Sequence, residues 1–323
     1  MSKPKVVITR RWPDAAEARA KELFDVRLNE DDHPMSAAEL QDALKNADAV
    51  CPTVSDAINA EVLSAEPMQC KILGNFGVGF NHINLDAAKK RNLVVTNTPD
   101  VLTDCTADLA MILMLMVARR AGEGERHVRN KQWTGWRPTH MIGTKVTGKT
   151  LGLVGMGRIA RAMAHKAHHG FGMKIIFTDP YPPPEEIVKD LKAKARASIE
   201  DVMKEADFVS LHCPGGKETY HLINKERISL MKPGAFLINS ARGDVIDPDA
   251  LITALKNGTI AGAGLDVYEG EPKVQDEFLT MENVVLLPHL GSATMETRVA
   301  MGMRAIDNVQ DFFEGKEPRD RVV

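Results

Sequence analysis

Three residues that follow apolar runs offer chemistry: Arg242, Glu271 and His289. Arg242 follows Ala235–Asn239 within Ser240-Ala241-Arg242-Gly243-Asp244. Asp266 and then Glu271-Pro272 follow Ala261–Leu265, and His289 follows Val284–Leu287 in Pro288-His289-Leu290-Gly291. A guanidinium can fork onto a carboxylate and polarise the adjacent carbonyl, while an imidazolium can protonate that oxygen as hydride arrives at carbon. A carboxylate bonded to the imidazole stabilises its protonated form and is expected to raise its pKa. Taken singly, each has a plainer reading: Arg242 as a partner of Asp244 or Asp247, Glu271 as a solvated loop acid, His289 as a satisfied core histidine. Taken together at strand ends, and beside the dinucleotide fingerprint at Gly155–Ala160, they favour a site for hydride transfer to a 2-oxo acid.

A hydride carrier has its own signature upstream. Thr150-Leu151-Gly152-Leu153-Val154-Gly155-Met156-Gly157-Arg158-Ile159-Ala160 reads as an apolar strand, a glycine turn and the start of a helix. Gly155 allows the tight turn, Gly157 lets backbone N–H groups approach a pyrophosphate, and Ala160 is small enough for close helix–strand packing. The following helix N-terminus favours the phosphates' charge. Asp179 ends the next strand, 22 residues after Gly157 (179 minus 157), near the spacing of a carboxylate that binds an adenosine ribose. It would repel a 2′-phosphate, so NAD(H) is favoured, with NADP(H) kept as the alternative.

The elements that must hold these groups alternate along the chain. Short runs at Val6–Ile8, Ala49–Cys51, Lys71–Gly74 and Leu93–Thr96 are interspersed with helices through Ala15–Phe24, Ala37–Ala47 and Leu85–Lys90. After the fingerprint come strands at Lys174–Thr178, Phe208–Leu211, Ala235–Asn239, Ala261–Leu265 and Val284–Leu287. Such alternation implies α/β architecture with parallel sheets covered by helices, and ligands beyond the strands' carboxyl ends. Between the two regions lies an unusually apolar helix, about Cys105 to Arg120, expected to be buried between domains or subunits. Next comes a polar segment, Asn130–Pro138, holding Trp133 and Trp136; it reads either as an arm packing on a partner or as a surface loop anchored by its aromatics.

With 323 residues, of which 44% are hydrophobic and 26% charged, the chain has room for two domains. Its 41 basic and 44 acidic residues leave a net charge of −3, which supplies no electrostatic reason to expect nucleic acid or an anionic membrane as partner. The longest apolar run, Leu109 to Ala118, is too short to span a bilayer, and the N-terminal segment turns polar at Thr9-Arg10-Arg11 without a secretory core. A cytoplasmic protein is expected. Cys51, Cys70, Cys105 and Cys213 form no CxxC pair and read as free thiols. No metal site is expected: His165, His168 and His169 fall at helical spacing, but no carboxylate or cysteine joins them in that helix.

Over nearly its whole length the chain resembles the D-isomer-specific 2-hydroxyacid dehydrogenases, and within them most resembles glyoxylate/hydroxypyruvate reductases. The resemblance rests on Gly77-Val78-Gly79-Phe80-Asn81-His82, Thr98–Asp104, Leu153–Ala160, Leu211-His212-Cys213-Pro214 and Asn239–Asp244. Gly264-Leu265-Asp266-Val267, Glu271-Pro272 and Pro288–Thr294 complete it. It implies two doubly wound parallel-sheet domains: a Rossmann dinucleotide-binding domain, 103–293, inserted in a flavodoxin-like substrate domain, 1–102, to which a last helix in 294–323 returns. A cleft between such domains can close and exclude water.

By the same resemblance Arg242, Glu271 and His289 are the catalytic set, and N–H groups of Val78 and Gly79 hold the substrate carboxylate with Arg242. Thr106 borders the nicotinamide, Arg158 and Ile159 meet the pyrophosphate, and Thr219 assists there. Cys213 and Pro214 flank the ribose or adenine, Ser240 and Ala241 the nicotinamide and Asp266 its carboxamide, with His289 and Gly291 completing the cofactor contacts. Asn81 stands where many relatives carry aspartate, and Ala160 replaces the usual third glycine. The implied activity is reduction of glyoxylate and hydroxypyruvate to glycolate and D-glycerate by a homodimer. The competing implication is a dinucleotide-sensing, co-repressor-like binding protein on the same fold.

Overall fold

Short runs rich in valine, isoleucine and leucine pair into two wholly parallel sheets in the computed structural model, which describes residues 2–323. The chain divides into two units, one through Leu102 together with Ser292–Val323, the other Thr103–Gly291. The second division falls after Gly291, where the sequence reading drew it after Ala293.

The first unit holds β1 (Lys5–Ile8), β2 (Asp25–Leu28), β3 (Ala49–Cys51), β4 (Ile72–Gly74) and β5 (Val94–Thr96), in the order β2-β1-β3-β4-β5. All but β2 are among the strands expected from sequence. The edge strand β2 alternates exposed and half-buried residues in Asp-Val-Arg-Leu, so it lacks the continuous apolar run that marks strands covered on both faces. The helix Met295–Phe313 returns to this unit, started by the Thr294 hydroxyl accepting from the Thr297 N–H, and packs on the helix Asp14–Leu23 and on β4. Past that helix the chain pairs back, Val322 N–H donating to the Val95 carbonyl at 2.7 Å.

The second unit holds β6 (Thr150–Val154), β7 (Lys174–Thr178), β8 (Lys194–Ala195), β9 (Phe208–Leu211), β10 (Phe236–Asn239), β11 (Gly262–Leu265) and β12 (Val284–Leu286). Their order is β12-β11-β10-β9-β6-β7-β8, all parallel, so the winding reverses between β6 and β9. That reversal opens a crevice at the carboxyl ends, the usual place for a dinucleotide. The two-residue edge strand β8 was absent from the sequence reading, because Lys194 and Ala195 are both exposed and carry no apolar signal.

Phe208 of β9, fully buried, stacks on Phe236 of β10 with centroids 5.2 Å apart, fixing the layer beneath the strand ends. The apolar helix Thr103–Ala118 packs against β10, β11 and the helix Arg158–His165. It is covered on most sides within its own unit, yet Ile112 keeps 44% of its surface exposed. Among the described residues no helix is long and apolar enough to cross a membrane.

Candidate active site

The turn after β6 is shaped by what cannot be there. Gly155 has φ of +91°, and a Cβ on it would sit 3.0 Å from the backbone of His212, so a side chain would be both strained and obstructed. Gly157 then begins the helix Arg158–His165 with no side-chain cap, and a Cβ there would meet nothing within 4 Å. A helix start without a side-chain cap, with open space beside Gly157, fits a pyrophosphate. Asp179 is held by the same turn: its carboxylate accepts from Met156 N–H at 2.5 Å and from Tyr181 N–H at 2.7 Å. Ala160 is fully buried, as its small size requires.

Beyond β9 lie His212, Cys213 and Pro214. His212 is half-buried with Nε2 2.9 Å from the Ser210 hydroxyl, and the loss of water around its ring pulls its pKa down to about 4, so it is neutral scaffolding. Burial pushes the Cys213 thiol up to about 11, which leaves it a neutral wall of the crevice and a poor nucleophile. The Thr219 hydroxyl donates to the Pro214 carbonyl at 2.7 Å, closing the loop that carries Cys213 and Pro214.

After β10, the buried Asn239 ties the loop that presents Arg242. Its side chain accepts from Ala241 N–H at 3.0 Å and donates to the Arg242 carbonyl at 2.8 Å. Burial draws the Arg242 guanidinium below its ordinary pKa while Glu271 and Asp244 act in the other direction; an arginine nonetheless keeps its charge. The Ser240 hydroxyl beside it is buried with no hydrogen-bond partner among the described residues, a polar atom suited to a ligand amide. With the glycine turn and the uncapped helix, this orphaned hydroxyl makes the residues present fit a nicotinamide dinucleotide.

His289 and Glu271 meet as the strand ends suggested, with Nδ1 2.8 Å from Oε2 and both side chains about one-third exposed. The other Glu271 oxygen accepts from Tyr268 N–H at 2.9 Å. Burial pushes the Glu271 carboxyl up, but the His289 bond and charge, the Tyr268 N–H and the Arg242 guanidinium outweigh it and hold its pKa below the usual carboxylate range. Glu271 therefore stays ionised and fixes the imidazole with Nε2 as the ring nitrogen left for a substrate oxygen.

Asp266, fully buried at the end of β11, holds the loop on which His289 sits. Its two oxygens accept from Leu290 N–H at 2.7 Å and Gly291 N–H at 2.9 Å, and its carbonyl accepts from His289 N–H at 2.9 Å. These bonds fix His289 in its left-handed backbone, φ +55°. Thr106 adjoins Gly291 at this point, its methyl 3.4 Å from where a Cβ on Gly291 would lie. Burial lifts the Asp266 carboxyl to about 6, against the two N–H donors and the His289 charge.

Asp266→Asn should lower kcat/KM about tenfold to a hundredfold, because an amide NH2 would face one of the two N–H donors. Urea titrations check the linkage. With the folded pKa above the unfolded one, this group's contribution to stability falls as pH rises from about 4 to about 6, a trend the variant should lack.

In the first unit, the loop after β4 is built to expose N–H groups. Asn75, fully buried, donates to the carbonyls of Gly77 and Gly79 at 3.0 Å each, and Asn97 donates to that of Val78 at 2.8 Å. His82 fixes Asn75 in turn, Nε2 lying 2.9 Å from Oδ1. With three carbonyls engaged, the N–H groups of Val78 and Gly79 have no acceptor among the described residues. Adjacent free N–H groups make an anion-binding nest.

Comparison with known proteins agrees with this geometry. Residues 111–291 match the family model described as D-isomer specific 2-hydroxyacid dehydrogenase, NAD binding domain. A glyoxylate reductase of Thermococcus onnurineus is 44% identical over 98% of this chain and 95% of its own. The chain belongs to the D-isomer specific 2-hydroxyacid dehydrogenases. A glycerate dehydrogenase of Hyphomicrobium methylovorum is 37% identical to this dehydrogenase over 98% of each chain. Among solved structures, an NADPH-dependent glyoxylate/hydroxypyruvate reductase from Sinorhizobium meliloti, in complex with NADP and malonate, superposes with a TM-score of 0.88 at 32% identity, covering 100% of this chain and 97% of that one. A family member from Polaromonas gives 0.93 at 34% identity, covering 99% and 100%.

Within the dehydrogenase's second unit, the structure therefore gathers Glu271, His289, Asp266, Gly291 and Thr106, with Arg242 acting on Glu271. It places Gly155, Gly157, Arg158, Ile159 and Asp179 around the turn after β6. Sequence reasoning missed the service of Asn75 and Asn97 beneath Val78 and Gly79, and that of Asn239 beneath Arg242. Buried asparagines at strand ends were the available signal. Asp266, which the resemblance assigns to a nicotinamide carboxamide, also accepts from the Leu290 and Gly291 N–H groups of the His289 loop, one on each oxygen.

Proposed function

We propose that this dehydrogenase reduces small 2-oxo acids, glyoxylate and hydroxypyruvate first, to glycolate and D-glycerate, with NADH favoured over NADPH. The observation that carries this reading is the 2.8 Å pair of His289 and Glu271 in the unit that also presents Arg242 and the dinucleotide turn. The relatives named glyoxylate reductase and glycerate dehydrogenase support the substrate class.

Arg158 and Ile159 hold the pyrophosphate, Asp179 the adenosine ribose, and Thr106, Ser240 and Ala241 the nicotinamide end, with Cys213 and Pro214 as the crevice wall. NADH, when bound there, would supply the hydride for the carbonyl carbon. Arg242 forks onto the substrate carboxylate and draws electron density from the carbonyl oxygen, and the amides of Val78 and Gly79 offer a carboxylate an anion nest in the first unit. His289 donates the Nε2 proton to that oxygen, while Glu271 keeps Nδ1–H bonded and orients the ring. In the oxidative direction His289 takes the hydroxyl proton back.

Steady-state kinetics on a panel of 2-oxo acids with both cofactors tests the reading. Glyoxylate and hydroxypyruvate should give the highest kcat/KM, and NADH should exceed NADPH. Failure to oxidise either cofactor with any 2-oxo acid would overturn the activity. A tenfold preference for NADPH, about 1.4 kcal/mol of transition-state discrimination, would overturn the role given to Asp179.

A cytoplasmic homodimer completes the proposal. All four cysteines are free thiols, in keeping with a reducing compartment. Exposed apolar side chains gather along one stretch of the second unit: Ile112, Val128, Trp133, Trp136 and Ile142, with Trp136 81% exposed. A second copy of this chain covering that stretch accounts for them. Sedimentation equilibrium should find a dimer, and Trp136→Glu combined with Ile142→Lys should yield a monomer. A monomeric wild type would contradict it.

A further inference from the structure

The helix that begins at Gly157 ends in a histidine cluster to which the proposed reaction gives no part. Arg158–His165 passes into a π-turn over Lys166–Gly170, a rare geometry that tends to mark functional sites. The turn exposes His165 and His169 on one face, their rings 4.5 Å apart by centroid. Within that helix no carboxylate accompanies them. The tertiary structure brings Asp190 to them from the last residue of the helix Glu185–Asp190.

We propose that His165, His169 and Asp190 form a surface site for a borderline divalent transition-metal ion, Zn2+ or Ni2+. Their ligand atoms all lie within 4.8 Å of one another. His169 Nε2 is already 3.2 Å from Asp190 Oδ2. That matches the separation of about 3.3 Å between two ligands of a tetrahedral ion with bonds of about 2.0 Å. His165 completes the set by an approach of no more than about 1.5 Å, within the freedom of an exposed side chain. Two imidazoles and one carboxylate select a borderline ion over Mg2+ or Ca2+, which take all-oxygen sets.

Nearby cations do not compete. Lys189 is paired with Glu185 at 2.8 Å, and Lys166 with Asp104 and Asp108 at 3.2 Å each. His168 is outside the set, its Nδ1 engaged with the Met173 carbonyl at 2.9 Å and its ring packed edge-on against His169. All three ligands are exposed, so water fills the remaining positions. The ion would join the helix that follows the glycine turn to the one that follows Asp179, the two segments leading away from the dinucleotide crevice. It would thereby stabilise the folded unit by mass action.

The test uses the untagged full chain, stripped with EDTA and titrated with ZnCl2 or NiCl2 by calorimetry, with the thermal midpoint followed in parallel. One ion per chain and an upward shift of Tm are expected. His169→Ala and Asp190→Asn should lose both responses while keeping wild-type metal-free turnover and Tm, and His168→Ala should keep them. Absence of binding, equal binding by His169→Ala and Asp190→Asn, or its loss in His168→Ala would overturn the site. None of these outcomes depends on the proposed 2-oxo acid activity, which is read without added metal.

Discussion

His289→Gln should lower kcat for 2-oxo acid reduction by about a hundredfold to ten-thousandfold, the range expected when a positioned general acid is removed. Glutamine approximates the size of the imidazole and can still hydrogen-bond Glu271, but it has no proton to give at neutral pH. The variant should still bind NADH, followed by fluorescence, because the glycine turn after β6 and Asp179 are untouched. The separation of turnover from binding is the informative part. A co-repressor-like sensor would keep both its dinucleotide affinity and its partner binding in this variant, and it would have no turnover to lose. Turnover close to wild type would remove His289 from the acid role, whatever its 2.8 Å contact with Glu271.

Gly243→Ala should be nearly as damaging by a different route. A Cβ at 243 would lie 1.9 Å from the carbonyl carbon of Tyr268, 2.2 Å from its oxygen and 2.3 Å from the nitrogen of Glu269. These are backbone atoms, with no side chain able to swing aside, so one of the two loops must move. One carries Arg242 and the other Glu271, and a shift of about 1 Å between such groups costs about a hundredfold in rate. The overpacking should also lower stability by about 1–3 kcal/mol or more. Urea unfolding and kcat/KM measured together check this. Gly234→Ala, where an added Cβ meets nothing within 4 Å, serves as the neutral control. Wild-type stability and activity in Gly243→Ala would show that the two loops can part without cost.

The fold was legible wherever a strand is buried on both faces or a turn demands a special backbone. The runs at 174–178 and 208–211 have the same ends in sequence and structure, since hydrophobic continuity marks a parallel interior strand. The edge strands β2 and β8 escaped notice for the converse reason: one side faces solvent, and their residues carry charges. Among site residues, Arg242, Glu271 and His289 stood out because strand ends in a parallel sheet all emerge on one edge. The roles of the groups beneath them did not.

What the sequence determined by itself is local: the glycine turn with its uncapped helix, the carboxylate 22 residues beyond Gly157, and the cation, acid and imidazole following successive strands. Each of these is a property of spacing along a few turns or one strand, where covalent geometry and periodicity leave few alternatives. The tertiary structure decided which polar groups serve which. It set Asp266 under Leu290 and Gly291, brought Tyr268 against Gly243, placed Asn97 under Val78, and carried Asp190 to His165 and His169. Those partners lie about twenty residues or more apart, joined by packing and by the need to satisfy buried donors and acceptors, and no local pattern encodes such a pairing.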